Sequence, residues 1–528
     1  MNDRRWYLAL PVLLLAACVL GSGLAVAQQT TTGIPCSQIA QRHLLMQDNM
    51  RAGLTLIECG VVQGGKADEN RAGEDELPQP PNVQVSNRTC TGPDACTHSE
   101  SMVWANTQVG SQTVVVNYND DTNGNGTNYS GTSYSLDGGN TFTEILPAPF
   151  ASGHGTNYGD PLVVYNSKLN LFFAGDLVTA CGGFGVGVWS SPDGMTWTAA
   201  GCPADNDDSD RPSIWVDNNP FSLHYGRMYV SFNNFAIGQG ALEVSYSDNG
   251  QTWSTPVVVN NGNTFIRDVQ LTGAPPGPPP PNAGYISAVF LAGMNEGGGG
   301  LAMRQNLMYR STDGGNTWTT ITVGSPFSPP GDGTCGYFAK MNTIIRHMGW
   351  GQPGVGPNGV VHYAYAAKGT LSTGDILYTR STDNGNTWST PIVLNDPETN
   401  QYQSHWMPSL NVNYDLGAFT PPEDVTVTWY DRRQATSACN VVTDPGCMYQ
   451  REGIQSTNNG ATWGSNFQIS PVEPEPAQDD PEIQSCYAGD YDYSTALNNN
   501  SYTTWTDGRV LVGGVSVQNV FFANVGEP

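Results

Sequence analysis

Charged residues are scarce in this chain of 528 residues, at 13%, and basic residues are the scarcer kind. Lys and Arg together number 21 against 47 Asp and Glu, which gives a formal net charge of −26. So acidic a chain is not a general binder of nucleic acids or of anionic membranes. Helical periodicity is almost absent after residue 60, and 62 Gly and 36 Pro indicate an all-β protein rich in loops.

Long apolar runs are also missing, except at the N-terminus. Arg4 and Arg5 precede an apolar run from Leu8, and Ala25-Val-Ala27 follows it, a pattern that predicts a secretory signal peptide over residues 1–27. Cys18 ends a lipoprotein-like box, so a lipid anchor is the alternative. No other run approaches the ~20 apolar residues that a membrane span needs. We therefore expect a secreted, extracellular or periplasmic protein without a transmembrane span.

Cysteine pairs with the spacing of a zinc site are absent too. Of the 11 cysteines, Cys18 would leave with the signal peptide, and an even number remains, which fits an exported protein with disulfides. Nearness in sequence suggests four pairs and leaves a fifth by elimination: Cys36 with Cys59, Cys90 with Cys96, Cys181 with Cys202, Cys439 with Cys447, and Cys335 with Cys486.

What the chain does contain is a repeated motif of eight residues. Residues 311–318 read Ser-Thr-Asp-Gly-Gly-Asn-Thr-Trp, and residues 381–388 repeat them with one change. Further copies end at Phe142, Trp197, Trp253 and Trp463, so that successive copies lie 55 to 75 residues apart. Each copy is typical of a hairpin turn, which we expect to be held by a buried aromatic ring. A period of this length indicates a propeller or a solenoid.

The motif Ser-x-Asp-x-Gly-x-Thr-Trp at this spacing is the Asp-box. Over roughly residues 83 to 525 the chain resembles the Asp-box (BNR-repeat) superfamily of sialidase or neuraminidase-like β-propellers. The resemblance implies four-stranded blades around a central channel. Seven blade starts stand against six boxes, and a spare strand at residues 82–87 would complete the last blade. We predict seven blades, with six as the alternative.

The chain before the propeller has a different character. Apolar residues at roughly helical spacing between Cys36 and Cys59 predict a short helix, and an acidic linker follows it. The predicted organisation is a helical cap and linker over residues 28–81 and a propeller over residues 82–528.

Polar residues open the innermost strand of several blades, where propellers meet their ligands. We interpret some of these polar residues, and two Arg at the ends of second strands, as substrate-binding: Arg211, Arg267, Arg432, Arg509, Asp268, His405 and Asp490. Arg suits this role because its planar fork pairs with carboxylates. The alternative is an ion-paired core, with Asp–Arg pairs joining neighbouring blades.

The resemblance also implies a chemistry. Sialidases use a neutral Tyr, activated by a Glu, because their substrate carries a carboxylate beside the reacting carbon; three Arg bind that carboxylate and an Asp is the acid/base. Tyr493, before Ser494, resembles the nucleophile, with Tyr491 as its rival. Candidates for the activating Glu are Glu296 and Glu243, and the acid/base is sought among Asp160, Asp210 and Asp268. Asp210-Arg211-Pro212 loosely resembles the family's Arg-Ile-Pro motif, although it lies in the third blade.

We therefore expect a glycoside hydrolase of exo-α-sialidase type that acts as a monomer on the terminal sugars of glycans or glycoproteins. The alternatives are a non-catalytic propeller that binds glycan or protein at the cell surface, and a different hydrolase or lyase on the same fold. No cofactor is required. A structural calcium would be held by Asp121, Asn123 and Asn125, which open a calcium-loop pattern that lacks an acid at Thr132. An Asn/Gly-rich hairpin loop is the other interpretation of these residues.

Overall fold

The structure of the protein is a computed structural model that describes residues 30–65 and 81–526. Within these ranges it leaves out residues 88–89, 91, 93–95, 109, 122–127, 146–149, 151, 207, 268, 277–284, 342–344, 348, 357–358, 414–423, 440–446 and 477–479. The predicted signal peptide, most of the acidic linker, Asp268, Asn123 and Asn125 lie outside the described residues.

Residues 30–65, called the N-terminal segment below, contain the described α-helix. Two 3₁₀ turns (Cys36–Gln38 and Leu44–Met46) precede α1 (Met50–Glu58). The short helix predicted between Cys36 and Cys59 is confirmed, but it covers only Met50–Glu58, because the chain is extended at Gln47 and Asn49. Asn49 instead caps α1, since its side chain accepts a hydrogen bond from the Ala52 N–H at 2.9 Å.

Seven antiparallel sheets of four main strands form the propeller, as predicted. The first strand in the chain, β1 (Asn82–Gln84), belongs to the last blade. Blades 1 to 3 follow in order: β2 (His98–Ala105), β3 (Val114–Asp120), β4 (Ser130–Ser135) and β5 (Thr143–Glu144); β6 (Leu162–Asn166), β7 (Leu171–Val178), β8 (Gly185–Ser191) and β9 (Thr198–Ala199); β10 (Ser209–Val216), β11 (Met228–Asn234), β12 (Ala241–Ser247) and β13 (Val257–Asn260).

Blades 4 and 5 differ by an interrupted inner strand and an added hairpin. Blade 4 has β14 (Ile266–Arg267) and β15 (Leu271–Gly273) at its inner position, then β16 (Val289–Asn295), β17 (Arg304–Ser311) and β18 (Thr319–Phe327). A hairpin of β19 (Gly333–Cys335) and β20 (Phe338–Lys340) leads to blade 5, which is β21 (Gln352–Val355), β22 (Val361–Ala367), β23 (Asp375–Ser381) and β24 (Ile392–Val393).

Blades 6 and 7 complete the ring. Blade 6 is β25 (His405–Val412), β26 (Val425–Asp431), β27 (Met448–Ser456) and β28 (Phe467–Gln468), with β29 (Glu473–Pro474) also paired to β27. The short β30 (Asp492–Tyr493) pairs in parallel with β2 of blade 1. Blade 7 is β31 (Thr495–Leu497), β32 (Asn500–Val512), β33 (Val515–Gly526) and β1.

The two ends of the propeller chain share one sheet. Strand β1 pairs antiparallel with β33, with Asn82 opposite Ala523 and Gln84 opposite Phe521. The predicted spare strand thus completes the seventh blade. This closure covers a sheet edge that would otherwise be free to pair with other chains.

The Asp-box turns have the predicted local bonding. Asp313 Oδ1 accepts the Thr317 N–H at 2.9 Å, and the Ser311 hydroxyl accepts the Gly315 N–H at 2.9 Å. The Trp318 indole donates to the Gly315 carbonyl at 3.1 Å. The expectation of a buried ring holds only for Phe142; the box tryptophans are half-buried, because each lies on an exposed turn at the edge of the core.

All five predicted disulfides are present: Cys36–Cys59, Cys90–Cys96, Cys181–Cys202, Cys335–Cys486 and Cys439–Cys447. Such bonds are consistent with an exported protein. The α-helix α1 has nine residues, and no helix in the described part of the chain is long and apolar enough to cross a membrane.

Candidate functional site

The innermost strands of three blades change register close to where they begin. Each change leaves a residue other than glycine with a left-handed backbone, at φ 45° for Glu100, 53° for Arg211 and 46° for Met407. Asp160, just before β6, has φ 64°. Such residues cost about 1–3 kcal/mol each and cluster at functional sites, and bulges at a rim redirect side chains. Glu100, Asp160 and Arg211 share this backbone feature.

Three arginines from neighbouring parts of the ring meet at one residue, Asp48, and two of them lie beside its carboxylate. Arg267 Nη1 lies 2.9 Å from Asp48 Oδ1, and Arg211 Nε lies 3.7 Å from Asp48 Oδ2. Arg346 Nη2 donates to the Asp48 main-chain carbonyl at 3.3 Å. We call these three arginines and Asp48 the arginine cluster. Since Asp48 belongs to the N-terminal segment, a residue from outside the propeller fills the position that the arginines surround.

Asp48 is an ionised carboxylate in this environment. Burial by itself raises its pKa, but Arg267 and Arg211 outweigh burial and hold the pKa of Asp48 below its ordinary value. The next residue also anchors the segment, because Asn49 Nδ2 donates to Asp210 Oδ1 at 2.8 Å. The arginine cluster is therefore a binding site for a carboxylate, and here the carboxylate is the protein's own.

Aromatic rings enclose the Arg211 guanidinium. Its carbon lies 3.9 Å from the ring centre of Tyr491 and 4.4 Å from that of Trp350, distances at which a cation is attracted to the ring face. Its Nη2 donates to Tyr493 Oη at 2.6 Å. Tyr491 and Tyr493 stack with ring centres 4.7 Å apart. Both tyrosines considered as nucleophile thus lie beside one arginine of the cluster.

Three further carboxyl groups surround this arrangement. Glu100 accepts hydrogen bonds from Asn119 Nδ2 at 2.7 Å and from the Asp490 N–H at 2.8 Å. Asp160 accepts the Arg211 N–H at 3.0 Å, and Arg346 Nε donates to Asp490 at 3.0 Å.

The acids of this site differ in how readily they hold a proton. Burial, followed by the charge of Asp490, raises the pKa of Glu100 well above its ordinary value. Burial and the charge of Glu100 likewise raise the pKa of Asp160. Paired groups whose pKa values are pushed apart are typical of acid and base assignments. Glu100 and Asp160 therefore hold a proton more readily than Asp48 does.

Glu296 joins the site at its edge. Its carboxylate accepts hydrogen bonds from Trp350 Nε1 at 3.1 Å and from the Tyr337 hydroxyl at 3.2 Å. Arg267 Nε lies 3.4 Å from its Oε2. These contacts make Glu296 a partner of Arg267, and neither Tyr491 nor Tyr493 is among its hydrogen-bond partners in the described residues.

Several residues that the sequence nominated lie elsewhere. Arg432 Nε is 3.8 Å from Glu475, and Arg509 pairs with Glu473 at 3.0 Å, which joins blade 7 to β29 beside blade 6. His405 Nδ1 bonds Asp431 at 2.9 Å. Arg432 and Arg509 thus form the ion pairs that were the alternative interpretation, and His405 forms a hydrogen bond within blade 6.

Only part of the predicted calcium site lies within the described residues. Asp121 is described, and burial followed by the charge of Asp480 raises its pKa to about 10. Asn123 and Asn125, the other two predicted ligands, lie outside the described residues. Calcium at this loop stays a prediction.

Sequence reasoning missed several members of the site: Asp48, Asn49, Arg346, Trp350 and Tyr487. Arg346 had a usable signal, since it directly follows the fifth blade start at residues 342–345 and other blade starts carry charged residues. Asp48 had none, because nothing in its sequence neighbourhood indicates docking onto the propeller.

The N-terminal segment covers the site. Arg211, Arg267, Arg346 and Asp48 are each at most 3% exposed. Met50 and Leu54 of α1 pack in the same apolar cluster as Tyr491 and Tyr493. On the channel side, a cavity of about 100 Å³ is lined by residues of the innermost strands, including Met102, Tyr493 and Ser494. The chemistry-bearing groups are therefore enclosed between the segment and the channel.

Comparison with known proteins gives fold likeness only. No protein-family model matches the chain, and no curated protein matches it. Among solved structures it is similar to the α-L-arabinofuranosidase Arb93A of Fusarium graminearum, at 14% identity and a TM-score of 0.41, over 66% of this chain and 92% of that one.

Two further solved structures resemble the chain to a similar degree. The intramolecular trans-sialidase of Ruminococcus gnavus is 14% identical, with a TM-score of 0.37, over 83% of this chain and 96% of that one. The BP39L lectin of Burkholderia pseudomallei is 12% identical, with a TM-score of 0.46, over 81% and 98%. At these values the similarities assign neither family nor function.

Proposed function

We propose that the protein is a glycan-acting hydrolase of exo-α-sialidase type, whose arginine cluster binds the carboxylate of a terminal acidic sugar in the place that Asp48 holds. The observation that carries the proposal is the convergence of Arg211 and Arg267 on the Asp48 carboxylate, with Arg346 on the main-chain carbonyl of the same residue. Buried guanidinium groups bind carboxylates strongly because their hydrogen bonds are charge-assisted.

The neighbouring groups suit this chemistry. A neutral tyrosine is the nucleophile that tolerates a substrate carboxylate beside the reacting carbon. Tyr493 takes that role here, and Arg211, which donates to its Oη at 2.6 Å, would stabilise the phenolate that develops. One of Glu100 and Asp160 would protonate the leaving oxygen, since burial raises the pKa of both, and the other, as a carboxylate, would accept the proton of the Tyr493 hydroxyl. Glu296 would position Arg267.

Substrate entry requires Asp48 to leave the cluster. The same contacts support a second candidate, a non-catalytic binding propeller in which the arginines serve only to anchor the N-terminal segment. The burial of every member of the cluster favours that candidate.

Hydrolysis of fluorogenic glycosides, headed by an α-sialoside, separates the two. We expect the full mature chain with Asp48→Ala to release more fluorophore from the sialoside than the unmodified chain, because the competing carboxylate is gone. Adding Tyr493→Phe should abolish release. Tyr309→Phe is the matched control, since this buried tyrosine lies on β17 of blade 4 and is not a member of the arginine cluster.

The other outcomes are equally informative. Activity that survives Tyr493→Phe and disappears in Tyr491→Phe would transfer the nucleophile to Tyr491. Activity that survives both changes would move the chemistry to the carboxylates. No release from any glycoside by a folded Asp48→Ala variant would contradict the hydrolase and favour the binding propeller.

A further inference from the structure

We propose a zinc-type metal site formed by Asp375, Glu398 and His405 at the boundary of blades 5 and 6, away from the arginine cluster. One ligand atom of each residue lies within 4.8 Å of the others. Asp375 begins β23 and His405 begins β25, while Glu398 lies in the loop between β24 and β25. Two ligands thus come from rigid strands and one from a loop.

The strongest evidence is the orientation of His405. Its Nδ1 is 2.9 Å from Asp431 Oδ2, so the carboxylate fixes the proton on Nδ1. Its Nε2 then carries the lone pair, and it points toward Glu398, with Oε1 at 4.0 Å. The His405 ring is only 2% exposed, and Nε2 has no hydrogen-bond partner among the described residues. A carboxylate behind the histidine is the usual second partner of a metal-binding imidazole.

A neighbouring side chain also orients each of the two carboxylate ligands. The Ser372 hydroxyl donates to Glu398 Oε1 at 2.8 Å, and Asn395 Nδ2 donates to Asp375 Oδ1 at 3.3 Å. Each of the three ligands therefore has a neighbour that holds it in place. Tetrahedral zinc with bonds of about 2.0–2.1 Å places its ligand atoms roughly 3.3 Å apart. Binding therefore needs ligand atoms that lie as much as 4.8 Å apart to close by up to about 1.5 Å.

The charge at this boundary is unbalanced. Arg433 pairs with Asp431, Asp396 and Glu452, at 2.8, 3.2 and 3.0 Å. Asp375 and Glu398 contact no Lys or Arg in the described part of the chain, although Asp375 is buried and the Glu398 side chain is only 10% exposed. Buried carboxylates without a counter-charge are costly. A divalent cation would supply the missing charge.

The ligand set and its access select the kind of metal. An imidazole nitrogen with two carboxylates suits Zn²⁺ and similar first-row ions, whereas Ca²⁺ and Mg²⁺ prefer oxygen alone. A pocket of about 370 Å³ opens beside Glu398 and His405. Three protein ligands leave a fourth position for water or a small ligand from this pocket, as in zinc sites with an open position.

Zinc titration of the chelator-stripped mature protein, followed by calorimetry, tests the site. We expect one Zn²⁺ per chain and a Kd at least ~10-fold weaker in Glu398→Gln, because a ligand is lost. Asp396→Asn is the matched control, since it removes a carboxylate from the same pocket that is not a ligand, and its Kd should not change. Co²⁺ in place of zinc should give the visible absorption of a tetrahedral site in the wild type and in Asp396→Asn, and not in Glu398→Gln.

A second variant protects the test against misfolding of the first. Ser372→Ala keeps all three ligands and should weaken zinc binding by about 10-fold through loss of orientation. Circular dichroism checks that each variant is folded. The proposal is overturned if the wild type takes up no zinc, or if wild type and Glu398→Gln bind it equally, which would assign the ion to another cluster.

Discussion

The acidic side chains of this propeller lie in two contrasting regions, the Asp-box turns and the arginine cluster. In a turn, Asp383 accepts hydrogen bonds from Thr387, four residues away, and the site is open to solvent. In the central region, Asp490 and Arg346 are 144 residues apart, and both are buried. The turns use carboxylates as local connectors, while the centre uses them as long-range partners. Loss of one partner should therefore have very different costs in the two regions.

The largest effect is expected from Arg267→Leu. The change leaves Asp48, Asp210 and Glu296 without a buried cation that lies within 3.5 Å of each. Removing one partner of a buried ion pair costs about 3–5 kcal/mol. Urea unfolding followed by tryptophan fluorescence measures the free energy of unfolding.

The matched control is Arg310→Leu in the outer region. Arg310 is half-buried and donates to the Asn384 carbonyl of the next Asp-box at 2.6 Å. We expect a loss of about 1 kcal/mol there. Equal losses at the two arginines would remove the distinction between centre and periphery.

A smaller effect is expected from the dependence of stability on pH. Burial raises the pKa of Asp492, beside Tyr493, to about 6, from 3.8 in its ordinary state. Between these values the folded chain binds a proton that the unfolded chain has released. The contribution of Asp492 to stability is therefore present at low pH and falls as pH rises through about 6, by roughly 2–3 kcal/mol.

In the Asp-box turns the pH dependence of stability has the opposite sign. Hydrogen bonds from Thr387 and Ser381 outweigh burial and lower the pKa of Asp383. Its contribution to stability is therefore present above pH 3.8 and is lost on acidification.

Thermal unfolding between pH 4 and 7 tests the prediction for Asp492. The decline of stability with rising pH should be flatter for Asp492→Asn than for the wild type. Identical slopes would mean that Asp492 does not titrate in this window.

The smallest effect is expected within a single turn. Asp383→Ala removes the acceptor for the Thr387 N–H at 2.8 Å and for the Ser381 hydroxyl at 2.7 Å. The cost should be about 1 kcal/mol, because these groups are solvated once released. Asp313→Ala in the neighbouring box should cost the same, and the double variant should show the sum. If the loss in the double variant differs from the sum of the two single losses by more than ~0.5 kcal/mol, the turns are coupled.

The difference between the regions also explains which residues of the site were predictable. Asp210, Arg211, Arg267 and Asp490 were nominated because they stand at blade starts, and Tyr493 because it resembles the family's nucleophile. The ring brings them together. Arg432 and Arg509 satisfied the same chemical criterion, yet they pair within and between blades 6 and 7. Arg346 took the third arginine position instead. Residue type and blade position were readable from the chain, but the direction of each side chain was not.

By itself the sequence determined the propeller, its seven blades, the box turns and the four disulfides whose cysteines lie 6 to 23 residues apart. These features depend on contacts that are short in sequence or that repeat with a period, so a pattern records them. Only the tertiary structure decided that Asp48 of the N-terminal segment lies among Arg211, Arg267 and Arg346, and that His405 meets Asp375 and Glu398 across a blade boundary. Such contacts join segments without a shared period, and their energy comes from burial and charge pairing that exist only after the ring has closed.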